Sequence, residues 1–393
     1  MKQKSIRIII SAICLCIIFF CFVPMTAFAA SPATTLTADG VLIGTYPSAQ
    51  EAVDAVTVTS GTNFVVEIAE GTVTDPLNIL QQPNKNLVVR PQSGASVTFT
   101  NTITIDGNGN LLSPETLLIQ GFTFDFTSGT PINCIYFNLI PPRVGHSYPH
   151  NVTINGCTFN GVFDTTVAVQ SIADGCRNIS IINCTATDMH SLAQLKAVSG
   201  YAFIQNCVLS NSDGGVNFYG TANLVIDSCK FDVVGYAVRS GQTSGSIVNT
   251  GSVTINNSVL NSNSSEDGTI VLRGDSTSNI NIIHSNITNA NADGAFLQNI
   301  NPASEDQYNI SIVESNVTGQ ITGINLSTIT TIDDPNVENG PIYINNNGSD
   351  NSYIILILSL IMVIAVLVLL TLIFAYIMCC NKSCNKHHNE HGC

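Results

Sequence analysis

Three groups of side chains in this 393-residue chain have types and spacings that could do chemistry. The first is a set of carboxylates, Asp213, Asp267 and Asp293, each directly before a glycine. Oxygen ligands of this kind suit calcium, although Asp before Gly is also an ordinary turn former. The second is Tyr219, Arg239 and Arg273, with Asn299, at the far ends of short apolar segments that follow those glycines. Stacked on one outer face, an aromatic ring and guanidinium groups would form a sugar platform, the ring on a pyranose and the fork on a carboxylate. The alternative is a solvated ladder. The loop 131–150, which contains IPPRVGHSYPH, adds Arg143, His146, Tyr148 and His150, and its four prolines mark it as irregular. Long loops on rigid scaffolds are common binding sites. The third group is the tail CCNKSCNKHHNEHGC. Its Cys379, Cys380, Cys384, His387, His388, His391 and Cys393 are seven soft or borderline ligands in fifteen residues. Such density can hold zinc or copper. Acylation of Cys379 and Cys380 in a eukaryotic host and an unstructured tail are the other readings.

Positioning these groups requires a repeated element, and the sequence contains one. The stretch 223–231, NLVIDSCKF, is one of eight similar rungs, with TLLIQGFTF, NVTINGCTF, NISIINCTA, YAFIQNCVL, SVTINNSVL, NINIIHSNI and NISIVESNV. The fourth residue is always isoleucine: Ile119, Ile154, Ile181, Ile204, Ile226, Ile255, Ile282 and Ile312. Positions two before and five after it are apolar throughout. Alternation of this kind is a strand with one buried face. A unit this short cannot bury that face alone and must stack on its neighbours. Spacings between the isoleucines run from 22 to 35 residues while the rung stays fixed, so the loops are free to vary. The expected fold is therefore all-β, a right-handed parallel β-helix of about ten coils at about 4.8 Å per coil. Propeller blades of about 40 residues are too long for these gaps. One rung position holds Cys157, Cys184, Cys207 and Cys229, continued by Ser258, Ser285 and Ser315. This predicts an inward stack of buried free thiols near a corner. A pairing of Cys134 with Cys176 stays open.

Composition narrows the function. Charged residues make up 10% of the chain, and the formal charge is −14. Residues 31–350 carry 8 Lys and Arg against 26 Asp and Glu, a net of −18. That argues against nucleic acid, which rewards clustered cations. It is compatible with calcium, and acidity also keeps a strand-rich secreted protein soluble. The N-terminus has Lys2, Lys4 and Arg7, then an apolar run over 8–23 and Ala27-Phe28-Ala29. This predicts a signal peptide over 1–30. Ser48 is placed to N-cap a short helix, SAQEAVDAV, with Glu51 completing a capping box. Together with first strands over 31–82 it would cap the solenoid of 83–332, covering otherwise unpaired edges.

The cap, through EGTVTDPLNI, resembles the opening of pectinesterase and pectate-lyase-like β-helix proteins, with Val73 where those families usually have tyrosine. The resemblance implies the fold and a preference for polysaccharides. It does not imply an activity. Polygalacturonase-like enzymes carry an Asp-Asp pair and a Gly-His-Gly. Here the one Asp-Asp, Asp333-Asp334, lies beyond the last rung, and Gly-His-Gly is absent. The pectinesterase Gln-Asp and Asp-Phe-x-Phe-Gly are also absent, and 125–129, DFTSG, is a poor echo of the latter. A pectate-lyase-like site of Asp213, Asp267 and Asp293 near Arg239 and Arg273 stays open.

The C-terminal part predicts location. A polar stretch over 333–352 leads into 354–378, which is 25 residues without a charge. As a helix this run is about 37 Å long, enough to span a bilayer. Lys382 and Lys386 follow it, which places the tail in the cytoplasm and the solenoid outside. The expected protein is a single-pass, outward-facing β-helix, similar to adhesin-like and pectate-lyase-like surface proteins. Its leading expected role is surface attachment or glycan binding, a polysaccharide lyase or glycoside hydrolase is the first alternative, and a structural spacer is the second.

Overall fold

The computed structural model describes residues 31–107, 115–130, 132–137, 149–171, 176–196, 200–219, 223–240, 251–273, 278–300, 308–325, 327 and 329–332. They form a parallel β-helix. Three sheets run its length, of 13, 10 and 10 strands, and each strand pairs with its equivalent one coil away. The expected register holds along the first sheet, where Ile119, Ile154, Ile181, Ile204, Ile226, Ile255, Ile282 and Ile312 stack in one column. All eight are fully buried.

The rung differs from a single strand in one respect. Its ninth residue belongs to the second sheet, where Phe99, Phe124, Phe159, Ala186, Leu209, Phe231, Leu260, Ile287 and Val317 form their own column. A tight corner separates the two halves. One residue per corner takes a left-handed conformation, from Gly121 (φ 76°) through Asn183, Asn206 and Asn257 to Glu314 (φ 45°). Asn suits this region better than most residues, and the corner asparagines also bond from coil to coil. Asn206 Nδ2 donates to Asn183 Oδ1 at 3.2 Å, and Asn183 Nδ2 to Asn155 Oδ1 at 3.0 Å.

The cysteine column lies directly inside this corner, buried, and all six described cysteines are free thiols, Cys134 and Cys176 included. Burial pushes the Cys134 thiol well up and that of Cys176 to about 12, so neither is a nucleophile at neutral pH. In later coils Ser258, Ser285 and Ser315 take over. Each hydroxyl donates to the carbonyl two residues back and accepts an amide from the preceding coil.

The cap forms as its sequence predicts. A helix spans Ala49–Val58, Ser48 Oγ accepts the Glu51 amide at 3.2 Å, and Ala52, Val53 and Val56 are buried. The solenoid begins earlier than residue 83. The strands Asn63–Ile68, Gly71–Val73 and Leu77–Gln81 already make one full coil, each pairing in parallel with the next coil. Among the described residues no helix is long and apolar enough to cross a membrane. The expected signal peptide (1–30), membrane span (354–378) and Cys/His tail (379–393) lie outside the described residues.

Candidate functional site

The turns joining the second sheet to the third differ sharply in length along the solenoid. Successive turns have six residues (161–166), three (188–190), one (Asp213), four (234–237) and seven (263–269). Short turns between long ones make a saddle, with its floor at His190 and Asp213 and a wall on either side. The floor is fixed by backbone bonds between coils. His190 N donates to Thr166 O at 2.7 Å, Gly214 N to His190 O at 2.8 Å, and Gly235 N to Asp213 O at 2.7 Å. The first wall sits close because Gly161 has no side chain. A Cβ there would lie 2.5 Å from Met189 Sδ and 2.6 Å from Thr166 Cβ.

Titratable groups gather in this saddle. His190 Nδ1 lies 3.1 Å from Asp213 Oδ2, and both side chains are about one-third exposed. Asp164 leans in from the first wall, so that Asp164, His190 and Asp213 bring one ligand atom each within 4.8 Å of one another. Burial holds the Asp213 carboxyl above its usual range. His190 and Arg239 oppose that shift, while Asp164 and Asp267 reinforce it. Tyr236 packs over Gly214, where a Cβ would lie 2.7 Å from the ring. Arg239 stacks on the Tyr236 ring at 3.6 Å and donates through Nη2 to Asp267 Oδ2 at 2.8 Å. Arg239 thereby pins the second wall to the floor. Gln298 holds the same wall from the next coil, accepting the Gly268 amide and donating to Glu266 O.

Beside the saddle runs an outward row of the third sheet. Register places Tyr136, Gln170, Gln194, Asn217 and Arg239 one coil apart in that row. Gln170 Nε2 donates to Gln194 Oε1 at 2.9 Å. Tyr136, Gln170 and Gln194 are partly exposed, Asn217 is buried, Arg239 is mostly buried, and the next residue in the row, Val271, is fully buried. A second recess, on the outer face of the first sheet, is lined by Ser252, Asn279, Asn281, Asn309 and Thr330 and holds no titratable group.

The sequence-predicted residues are distributed differently from the expected platform. Arg239 follows the inward Val238 by one place, whereas Tyr219 and Arg273 lie three places beyond the equivalent Val216 and Ile270. Arg239 is therefore not in line with the other two, and the single column Tyr219–Arg239–Arg273 does not form. Asn299 faces inward and is buried. The strand Gly214–Tyr219 is described but the Tyr219 side chain is not. Arg273 N donates to Ser240 O at 2.7 Å.

Asp213, Asp267 and Asp293 do sit at the same junction but do not converge. Asp267 is paired with Arg239, and Asp293 is an exposed turn residue whose amide donates to Asn291 Oδ1. Among the described residues, the carboxylate that joins Asp213 is Asp164, with His190 as the third member. Arg143, His146 and Tyr148 lie outside the described residues, as do Cys379, Cys380, Cys384, His387, His388, His391 and Cys393. His150 is described and buried. It trades two backbone hydrogen bonds with the Gln81 amide and lies 3.8 Å from Glu115, so it anchors the end of its loop and is not presented on it. Asp164, His190, Tyr236 and the amide row are not among the residues expected from the sequence. The amide row alone carries a local signal, a Gln or Asn directly after an inward apolar residue, as in 167–171 (VAVQS) and 214–219 (GGVNFY).

No family model matches the chain, and no curated protein matches it. Solved structures with similarity include the A-module of the Azotobacter vinelandii mannuronan C-5 epimerase AlgE6, at 12% identity and a TM-score of 0.40, covering 74% of this chain and 95% of that one. They also include PfbA, a surface adhesin of Streptococcus pneumoniae, at 15% identity and a TM-score of 0.33, covering 74% of this chain and 91% of that one. The chain is, by its own topology, a three-sheet parallel β-helix.

Proposed function

We propose that this protein binds an extended, neutral polysaccharide along the row Tyr136–Gln170–Gln194–Asn217–Arg239. The observation that carries this reading is the register. It aligns an aromatic ring and two partly exposed amides, Tyr136, Gln170 and Gln194, followed by the buried Asn217 and the mostly buried Arg239, over five coils, a length of about 19 Å at about 4.8 Å per coil. Amides both donate and accept, which suits sugar hydroxyls, and an aromatic face suits a pyranose ring. Arg239 is already paired with Asp267, and the chain as a whole carries a formal charge of −14, so hydroxyls fit this row better than carboxylates. Display on the outside of a cell, anchored through 354–378, completes the proposal. It is supported by the uncharged run and the lysines that follow it.

One observation favours a catalytic second reading, namely the raised Asp213 carboxyl beside His190. The closest oxygens of Asp164 and Asp213 lie within 4.8 Å. That is too near for an inverting glycosidase, whose carboxyls stand about 6.5–9.5 Å apart. One assay separates the two readings. Intact cells displaying the protein are incubated with a panel of neutral and acidic polysaccharides, and both retention and product masses are measured. Retention of a neutral chain, weakened about five- to thirtyfold by Tyr136→Ala or Gln194→Ala, supports binding, because each such contact contributes roughly 1–2 kcal/mol. New oligosaccharides that disappear with Asp213→Asn would replace binding by catalysis. Unchanged retention in both row variants would sink the proposal.

A further inference from the structure

We propose that Asp164, His190 and Asp213 form a binding site for one divalent first-row transition ion of the manganese class. The inference stands on the saddle and is independent of whether the amide row holds a glycan.

Geometry comes first. The three ligand atoms come from three successive coils and all lie within 4.8 Å of one another; His190 and Asp213 are fixed by coil-to-coil backbone bonds. His190 Nδ1 and Asp213 Oδ2 are 3.1 Å apart. Two adjacent ligands of an octahedral ion with bonds of about 2.1 Å are separated by about 3.0 Å, so this pair already has the right spacing. Asp164 sits on an exposed turn with a left-handed backbone (φ 62°) and supplies the third ligand.

A second observation concerns the histidine. The Nδ1 atom of His190 is buried and makes no aligned hydrogen bond, despite its closeness to Asp213. Its charged contact is the pairing with Asp213 at 3.1 Å, and a shared cation would take the nitrogen lone pair and the carboxylate together. Charge agrees with this. Arg239 is committed to Asp267, which leaves Asp164 and Asp213 facing each other with like charge.

Ligand type selects the ion. An imidazole nitrogen with two carboxylates departs from the all-oxygen shell that calcium takes. It suits manganese or zinc, whose sites mix the two donors. The side chains of His190 and Asp213 remain about one-third exposed, so the outer face of the ion would be open to water or to a ligand hydroxyl.

The test uses the full-length protein, stripped with chelator and titrated with Mn2+, with free ion followed by electron paramagnetic resonance. The expected result is one Mn2+ per chain. Binding is lost in Asp213→Asn, weakened at least tenfold in Asp164→Asn, and unchanged in Asp293→Asn. Nitrogen coupling in the bound spectrum should vanish in His190→Ala. The Cys/His tail is present in every variant, so binding there would not change among them. Gln194→Ala should keep the ion even where glycan retention fails, which separates this site from the proposed row. Asp164 is exposed, so that variant folds even should Asp213→Asn not do so. Equal Mn2+ binding by wild type, Asp164→Asn and Asp213→Asn, or no binding by wild type, overturns the proposal.

Discussion

Removal of Arg239 tests how the saddle is built. Its guanidinium stacks on Tyr236 at 3.6 Å and bonds Asp267 at 2.8 Å, with the Arg side chain mostly buried and the Asp about one-third exposed. The stacking contributes about 0.5–2 kcal/mol. A hydrogen bond between charged groups contributes about 1.5–3 kcal/mol when well buried, reduced here to about 1 kcal/mol by the exposure of Asp267. Arg239→Ala should therefore release the second wall by roughly 2 kcal/mol, and Arg239→Lys, which keeps the charge but loses the planar stack, by about half of that.

The assay is native-state hydrogen exchange at the Asn263 amide, which donates to Val234 O at 3.2 Å and reports opening of the wall. A change of 2 kcal/mol is roughly a thirtyfold faster exchange. A double-mutant cycle with Asp267→Asn isolates the ion pair, with an expected coupling of about 1 kcal/mol. Exchange at Asn263 that changes less than about threefold in Arg239→Ala, below about 0.7 kcal/mol, would refute the view that Arg239 pins the wall.

Two further outcomes follow from the core and from Asp213. Phe124 lies between Phe99 (centroids 5.5 Å apart, 22°) and Phe159 (4.9 Å, 15°) in the second-sheet column, whereas Phe231 stacks between Leu209 and Leu260. Phe124→Ala should cost about 4 kcal/mol, and about 1 kcal/mol more than Phe231→Ala, read from urea midpoints at unchanged slope; equal costs would deny the ring stack any energy of its own. The Asp213 carboxyl titrates near 3.8 when unfolded and higher when folded. Between those values the folded chain binds more protons, so its contribution falls as pH rises. In chelator at pH 7, Asp213→Asn should therefore melt higher than wild type, with the gain shrinking as pH falls toward 3.8; a variant that melts lower at pH 7 contradicts this.

The sequence by itself determined the solenoid. Strand faces alternate every second residue, so one inward isoleucine per rung is enough to fix which side of each strand is buried. The cap helix was legible for the same local reason, because Ser48 and Glu51 lie within one turn of each other. The site could not be read in this way. Asp164, His190 and Asp213 are 26 and 23 residues apart in sequence, and they meet because coils stack in register. That register passes through turns of six, three and one residues between the second and third sheets. Aligning the chain on its glycines ignores those differences, and in the true register Arg239 lies two places away from the line of Tyr219 and Arg273. Stacking of Val216, Val238 and Ile270 sets the true alignment, because a shift by one residue would turn their side chains out of the core. Which polar groups meet on the outside was therefore decided by packing on the inside, and only the tertiary structure contains that information.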